Sequence, residues 1–283
     1  VNGDDQIQPV TQPSLERMLR FDIHPRRKLG QNFLVDNNIL DVIESASELG
    51  PEDVVLEVGG GLGVLSEYLA ERARYVHVIE LDESLREALE DAVGDADNVS
   101  LVFADAVNID YAALDPRPTK LIANLPYNVA ATCVIKSFYE LPELELCCVM
   151  AQREVGDRLT AKPSSKLYAG TSVLVQAVSA DMTSRKLSRN IFHPVPNVDS
   201  SLVTLKRTGP NPAPGFNDLV HGAFAHRRKP LPSSLGHANR GDATIKARAA
   251  AALAEIGCDA NTRAEALTAA DFLKLQELIG GGA

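Results

Sequence analysis

The chain has no tryptophan, and aromatic residues make up only 5% of its 283 positions. A core without many large rings must rest on Val, Leu, Ile and Ala. Cysteine is also scarce. Cys133 and Cys258 stand alone and Cys147-Cys148 lie in an apolar run, so no Cys-x-x-Cys spacing offers a zinc site or a redox pair. The four read as small buried hydrophobes of a reducing compartment, and no metal is expected. No apolar run approaches the roughly 18 residues that a membrane span needs. The first residues are polar and lack the basic-then-apolar order of a signal peptide. A disordered tail over residues 1–20 and a cytoplasmic location are therefore the expectation. Basic residues are in deficit, 28 against 38 acidic for a net charge of −10, which argues at first against a nucleic-acid partner.

The deficit is uneven. Between Leu141 and Arg240 there are 13 Lys and Arg against 7 Asp and Glu, a local +6, and Arg26-Arg27-Lys28 forms a further basic cluster. Such a distribution suits a protein that grips phosphate backbone on one face, although solvated basic faces give the same count.

From Val54 to about Met150, short β-branched runs alternate with amphipathic stretches. Strands are predicted at Val54–Val58, Tyr75–Glu80, Val99–Phe103, Lys120–Ala123 and Leu144–Met150, with helices near Val64–Arg72 and Glu83–Val93. That order implies parallel βαβ units in a doubly wound α/β sheet, where ligands bind beyond the carboxyl ends of the strands. Further on, Thr171–Ser179 and Leu202–Lys206 read as longer strands, joined by Arg185–Asn190 and the Pro-rich Phe192-His193-Pro194-Val195-Pro196. Residues 209–215 hold three prolines and read as a linker. Helices are predicted beyond it at Phe216–Ala225, Thr244–Ile256 and Ala269–Ile279. The expected organisation is a tail over 1–20, a Rossmann-like domain over 21–208, the linker, and a small all-α domain over 216–283 ending in a disordered Gly280-Gly281-Gly282.

Three strand ends carry chemistry. Leu56-Glu57-Val58-Gly59-Gly60-Gly61-Leu62-Gly63 runs from a strand into a glycine-rich turn, which lets backbone approach a ligand closely. Glu80 ends the next strand about 20 residues later, where a carboxylate takes both ribose hydroxyls of a nucleoside. Asp105, after the third strand, is placed to accept a hydrogen bond from an adenine amine. Together they point to an adenosine-containing cofactor. A dinucleotide would want the Gly-x-Gly-x-x-Gly fingerprint, but position 64 is Val, so S-adenosylmethionine is the better fit. The fourth strand ends in Asn124-Leu125-Pro126-Tyr127. The Asn carboxamide oxygen and the Leu125 carbonyl each accept one hydrogen from a planar amine, Pro126 fixes its φ, and Tyr127 offers a ring for stacking. A methyl donor would thus face an amine acceptor.

These residues resemble the rRNA adenine dimethyltransferases, Rossmann-like S-adenosylmethionine enzymes that methylate the 6-amino group of adenine. The resemblance runs from about Arg26 to Ile279 through Gly30-Gln31-Asn32-Phe33-Leu34, the glycine turn, Ile79-Glu80-Leu81-Asp82, Asp105-Ala106, Gln152-Arg153-Glu154-Val155, Phe192-His193-Pro194, Pro196-Asn197-Val198-Asp199-Ser200 and Arg227-Arg228-Lys229. It is strongest with the bacterial branch that dimethylates two adjacent adenosines near the 3′ end of small-subunit (16S) rRNA. The resemblance implies that Asn32, Leu34, Gly59, Gly61, Glu80, Asp105 and Asn124 hold the cofactor. Asn124, Leu125, Pro126 and Tyr127 would form the catalytic turn, Tyr127 and Phe192 would sandwich the target base, and Arg153, Arg227, Arg228 and Lys229 would touch RNA. It also implies a monomer that partners the small ribosomal subunit. Two departures stand out. Gly60 replaces a residue that is often Pro in relatives, which should loosen the turn but keep its shape. Pro230-Leu231-Pro232-Ser233-Ser234 follows the Arg-Arg-Lys triplet where relatives continue with Thr, a basic residue and Asn. An rRNA-binding assembly factor with secondary methylation, and a large-subunit methyltransferase of the antibiotic-resistance type, are the alternatives.

Overall fold

The computed structural model describes residues 12–239 and 242–280. In chain order the elements begin with α1 (Pro13–Arg20), β1 (Phe33–Leu34), α2 (Asn38–Ser47), β2 (Val54–Val58), α3 (Val64–Ala70), β3 (Tyr75–Glu80), α4 (Arg86–Val93), β4 (Val99–Phe103), β5 (Lys120–Asn124) and α5 (Ala130–Glu140). They continue with β6 (Leu146–Gln152), α6 (Arg153–Leu159), α7 (Gly170–Gln176), β7 (Asp181–Leu187), β8 (Phe192–His193) and β9 (Ser200–Lys206). Last come α8 (Phe216–Phe224), α9 (Leu231–Ala238), α10 (Ile245–Glu255) and α11 (Ala269–Gly280).

Among the described residues, seven strands form one sheet in the order β4-β3-β2-β5-β6-β9-β7. The first five run parallel, and β9 and β7 add antiparallel to β6 and β9. The central strands are buried throughout, as strands covered by helices on both faces must be. Their apolar side chains feed two cores. One packs Leu56, Leu121 and Cys147 against Val134 and Phe138 of α5, and the other packs Val55, Val78 and Cys148 against Ile43 of α2 and Leu65 of α3. No helix among the described residues is long and apolar enough to cross a membrane.

Three sequence expectations are corrected. Residues 171–179 form helix, not strand, as far as Gln176 in α7. Val175 joins the sheet-side core while Val173 and Leu174 join the helical core, so an apolar run buried on two sides imitates a strand. Arg185–Asn190, expected as a connection, begins inside β7, an edge strand whose exposed polar side chains hide the alternation. The expected tail falls outside the described residues over 1–11, but Pro13–Arg20 is helical: Ser14 is buried and donates to the Leu34 carbonyl, and Arg17 pairs with Glu67 at 2.8 Å. At the other end Gly280 closes α11, and Gly281-Gly282 lie outside the described residues.

The helical core draws on residues before the Pro-rich segment, since Tyr168 and Val173 pack with Phe216, Leu253 and Phe272. The 209–215 segment is itself tied down. Arg207 donates to the Phe138 carbonyl at 2.6 Å and to Asn211 at 2.9 Å, and Asn211 donates to the Tyr139 carbonyl at 2.9 Å.

Candidate active site

β2 runs into the turn at Gly59–Gly63, where Gly59, Gly61 and Gly63 have φ of 86°, 58° and 78°, a region that strains any side chain. Space is as restrictive as conformation. A Cβ on Gly59 would lie 3.3 Å from the Asn124 carbonyl and from Pro126 Cδ, and one on Gly63 would lie 2.2 Å from Ala92 Cβ. The turn is therefore wedged between the exit of β5 and α4. At Gly60, Val78 and Leu89 fill the space a side chain would take, with Val78 Cγ1 2.5 Å from the ideal Cβ position.

A cleft with about 1050 Å³ of open space lies over this turn, at the carboxyl ends of the parallel strands. Asn32 and Leu34, Gly59 and Gly61, Glu80, Asp105, and the whole Asn124–Tyr127 turn all line it. Glu80 is 8% exposed and accepts from the Gly61 and Asp82 amides at 2.9 Å each. Burial pushes its pKa up in spite of those bonds. The Asp105 oxygens accept from the Val107 amide at 2.9 Å and the Asn108 side chain at 2.8 Å, which leaves each a lone pair for a ligand. Asn124 donates through Nδ2 to the Asn32 carbonyl at 3.0 Å. That bond fixes the amide orientation, and among the described residues neither Asn124 Oδ1 nor the Leu125 carbonyl accepts a hydrogen bond. The Tyr127 ring is half-buried, and its hydroxyl lies 2.8 Å from Ser200 Oγ.

The structure adds residues that sequence reasoning passed over. Glu57 is 1% exposed on the cleft wall, its Oε2 has no partner among the described residues, and burial pushes its pKa up to about 8. Asp82 bonds Arg26 at 2.7 Å, Gln31 at 2.8 Å and the Ser84 hydroxyl at 2.7 Å. Burial alone would raise the Asp82 pKa, but the bonds from Ser84 and Gln31 and the Arg26 charge outweigh it and hold the carboxyl below its usual range. Asp82 thereby pins the segment that carries Asn32 to the end of β3. The Glu80-x-Asp82 spacing was the available signal, since alternate residues leaving a strand end share a side.

Phe192 departs from expectation. Its ring is 1% exposed among Leu34, Leu187 and Leu202 and does not line the cleft, so no sandwich with Tyr127 exists in this structure. The cause is register: β8 pairs with β1 so that Leu34 faces Phe192, which turns the ring inward and leaves His193 exposed. The expected RNA contacts do not form one patch of free cations. Arg153 opens α6 and its side chain is half-exposed. Arg227 is held by Glu265 at 2.6 Å and the Lys166 carbonyl at 3.0 Å, Lys229 lies 2.7 Å from His237, and Arg228 is exposed. The atypical Pro230–Ser234 segment starts α9, with Pro in its first turn and Leu231 and Ser234 fully buried, so it serves the helical core. Among the described residues no three His, Cys, Asp or Glu side chains gather to hold a metal ion.

Comparison with known proteins places this geometry. The pattern of the family described as "Ribosomal RNA adenine dimethylase" matches residues 23–280. The chain is 41% identical over 257 residues to "Ribosomal RNA small subunit methyltransferase A" of Rubrobacter xylanophilus, covering 90% of this chain and 95% of that protein. Among solved structures, a dimethyladenosine transferase from Plasmodium falciparum superposes with a TM-score of 0.71 at 22% identity, over 86% of this chain and 95% of that one, a likeness of fold. The 23S rRNA methyltransferase ErmE superposes with a TM-score of 0.64 at 25% identity, over 88% of this chain and 100% of that one. With the match spanning both the sheet and the helical layer, the chain belongs to the ribosomal RNA adenine dimethylase family of methyltransferases.

Proposed function

We propose that this chain dimethylates the 6-amino groups of two adjacent adenosines near the 3′ end of small-subunit (16S) rRNA, and thereby takes part in small-subunit biogenesis. The observation that carries the reading is the Asn124–Tyr127 turn: its amide is oriented by Asn32, and two of its acceptors have no partner among the described residues. The name of the Rubrobacter xylanophilus relative supports the small subunit as the partner.

The cleft fits S-adenosylmethionine. A Cβ on Gly59 would press on the Asn124 carbonyl and Pro126, so glycine there lets the turn after β2 pack directly against the Asn124–Tyr127 turn at the floor of the cleft. Glu80 would hold the ribose and Asp105 the cofactor adenine, with Asn32 and Leu34 on the β1 side. When bound, S-adenosylmethionine supplies an electrophilic methyl group. The chain's own work is position and electrostatics. Asn124 Oδ1 and the Leu125 carbonyl accept the two hydrogens of the target amine and draw them out of the base plane, which leaves lone-pair density on nitrogen free to attack the methyl. Tyr127 gives the base a surface on which to stack, as bases withdrawn from a helix commonly require. Phe192, in its buried position, shapes the wall behind Leu34. Orienting two reactants in this way is worth about 7–11 kcal/mol of barrier. No strong base is needed, because the methylated amine loses its proton after the methyl arrives.

The test is transfer of labelled methyl from S-adenosylmethionine to small subunits from cells lacking the modification, with large subunits and naked rRNA alongside. Two adjacent adenosines of the small-subunit RNA should become dimethylated. Label confined to large-subunit RNA would move the chain to the resistance type, and tight small-subunit binding without label would favour an assembly factor.

A further inference from the structure

The sheet places a second cluster on the rim where β5 ends in the catalytic turn. β6 runs parallel to β5 with Asn124 beside Met150, β9 pairs with β6 so that Gln152 faces Ser200, and β7 pairs with β9 so that Lys186 faces Ser201. Arg153 is far in sequence from Lys186, Arg189 and Asp199, yet this register gathers them at one sheet end. Lys186 Nζ lies 3.3 Å, Arg189 Nε 3.5 Å and Arg153 Nη1 3.6 Å from the Asp199 carboxylate. The Arg153 amide also donates to the Asp199 carbonyl at 2.8 Å. Together with Asn197 and Val198, Arg153, Arg189 and Asp199 line an open depression.

Three features separate this cluster from ordinary surface pairing. Three cations share one carboxylate; of the other two carboxylates lining the depression, Asp157 lies 3.5 Å from Arg153 and Glu154 pairs with Arg158 at 2.6 Å, so with Arg158 counted one positive charge is still in excess on a chain of net −10. None of the three contacts has the 2.7–2.9 Å length of a strong charge-assisted bond, and the cation side chains remain 48–66% exposed. Exposed pairs of this kind add little stability. The loop beside it also leaves Val195 56% and Val198 44% exposed, apolar surface next to a cationic rim. Asp199 precedes Ser200, whose hydroxyl meets the Tyr127 hydroxyl at 2.8 Å, so the cluster adjoins the ring assigned to the target base.

We infer that Arg153, Lys186 and Arg189 form a clamp for an RNA phosphodiester next to the target adenosine, and that Asp199 holds them in place as a stand-in anion until RNA arrives. The inference rests on the RNA-substrate reading above and adds Lys186, Arg189 and Asp199 to it. The Lys186 hydrogen bond and charge, with Arg189 and Arg153, hold the Asp199 carboxyl below its usual range, so it is ionised at neutral pH, as the role requires.

The experiment measures the salt dependence of binding of a fluorescent single-stranded RNA with two adjacent adenosines, read by anisotropy. Each phosphate contact on single-stranded RNA adds about 0.7 to the slope of log affinity against log salt. The Lys186→Ala/Arg189→Ala double variant, which gives up that one phosphodiester, should therefore lose about 0.7 from the slope. Between 50 and 200 mM salt the unaltered chain should weaken about 2.6-fold more than the variant. Asp199→Asn, which removes the competing anion, should tighten binding. Arg117→Ala, a charge removed before the opposite end of β5, controls for net charge and should leave the slope unchanged. S-adenosylmethionine affinity within twofold of the unaltered chain would confirm that the variants fold. An unchanged slope in the double variant, or weaker RNA binding in Asp199→Asn, would overturn the clamp. Because binding is read without turnover, failure of the unaltered chain to methylate would count against the reaction and leave the clamp decided by the slope.

Discussion

Replacing Asn124 by Ala separates the chemistry of the turn from its stability. The side chain does two things. Nδ2 donates to the Asn32 carbonyl at 3.0 Å, and Oδ1 has no partner among the described residues. Loss of a partly buried hydrogen bond costs about 0.5–1.5 kcal/mol, which for a chain of this size lowers Tm by about 2–4 °C per kcal/mol. Loss of one fixed group aimed at the reacting atoms typically costs 10²–10³ in kcat, about 2.7–4 kcal/mol. The variant should thus stay folded, bind S-adenosylmethionine only modestly more weakly, and transfer methyl at least about 100-fold more slowly. Asn124→Asp should also be slow. It is nearly isosteric, but it sets a carboxylate oxygen where Nδ2 now donates, so the side chain loses the bond that orients it. Calorimetric cofactor binding, thermal melts and single-turnover methyl transfer together check this. Full activity in Asn124→Ala would refute the assignment, and so would a loss of activity matched by an equal loss of folded protein.

Three further outcomes follow from the same geometry. Gly63→Ala should destabilise the chain by on the order of 2–5 kcal/mol, from left-handed strain and the overlap with Ala92, whereas Gly215→Ala, with φ of 86° and open space around it, should cost only about 1–2 kcal/mol; denaturant unfolding compares them. Phe192→Leu should keep most of the stability and of the RNA KM, while Phe192→Ala should lose about 3–5 kcal/mol as a core truncation; a large rise in KM for the Leu variant would restore a stacking role. Glu57 is protonated more readily folded, with a pKa of about 8, than unfolded, so its contribution is present below about 4.5 and is lost as pH rises towards 8. Glu57→Gln should flatten that fall, which is about 1.4 kcal/mol per pH unit at its steepest, and chemical denaturation of the ligand-free protein between pH 5 and 8 would detect it.

The parallel strands and the cleft-lining residues at their ends were legible because both signals are local. β2, β3 and β5 are apolar runs flanked by helices, and each ends in a residue that lines the cleft or immediately before one. What was not legible depended on partners distant in sequence. α1 is anchored by Ser14 on the Leu34 carbonyl and Arg17 on Glu67, bonds that composition cannot reveal. α7 lies between two cores, so its Val173–Val175 run has no helical periodicity to read. The motif that contains Phe192 was visible, but the direction of its ring is set by pairing with Leu34.

The same reasoning explains why the basic rim escaped a count of charges. Arg153 opens α6 while Lys186 and Arg189 lie together at the end of β7, and the +6 of residues 141–240 includes Arg207 and Arg227, which the fold spends on backbone carbonyls and Glu265. A regional excess of charge therefore says little about which cations face a ligand. The register of β6, β9 and β7 decides it: Gln152, Ser200 and Leu187 share one row, so the residues just beyond that row must converge. Asp199 and Arg153 each sit one step from the row, and Tyr127 reaches the same row through Ser200. A strand slip of one residue would turn Ser200 to the other face and part Tyr127 from the cations, so the Asn124–Tyr127 turn and the basic rim depend on a single pairing.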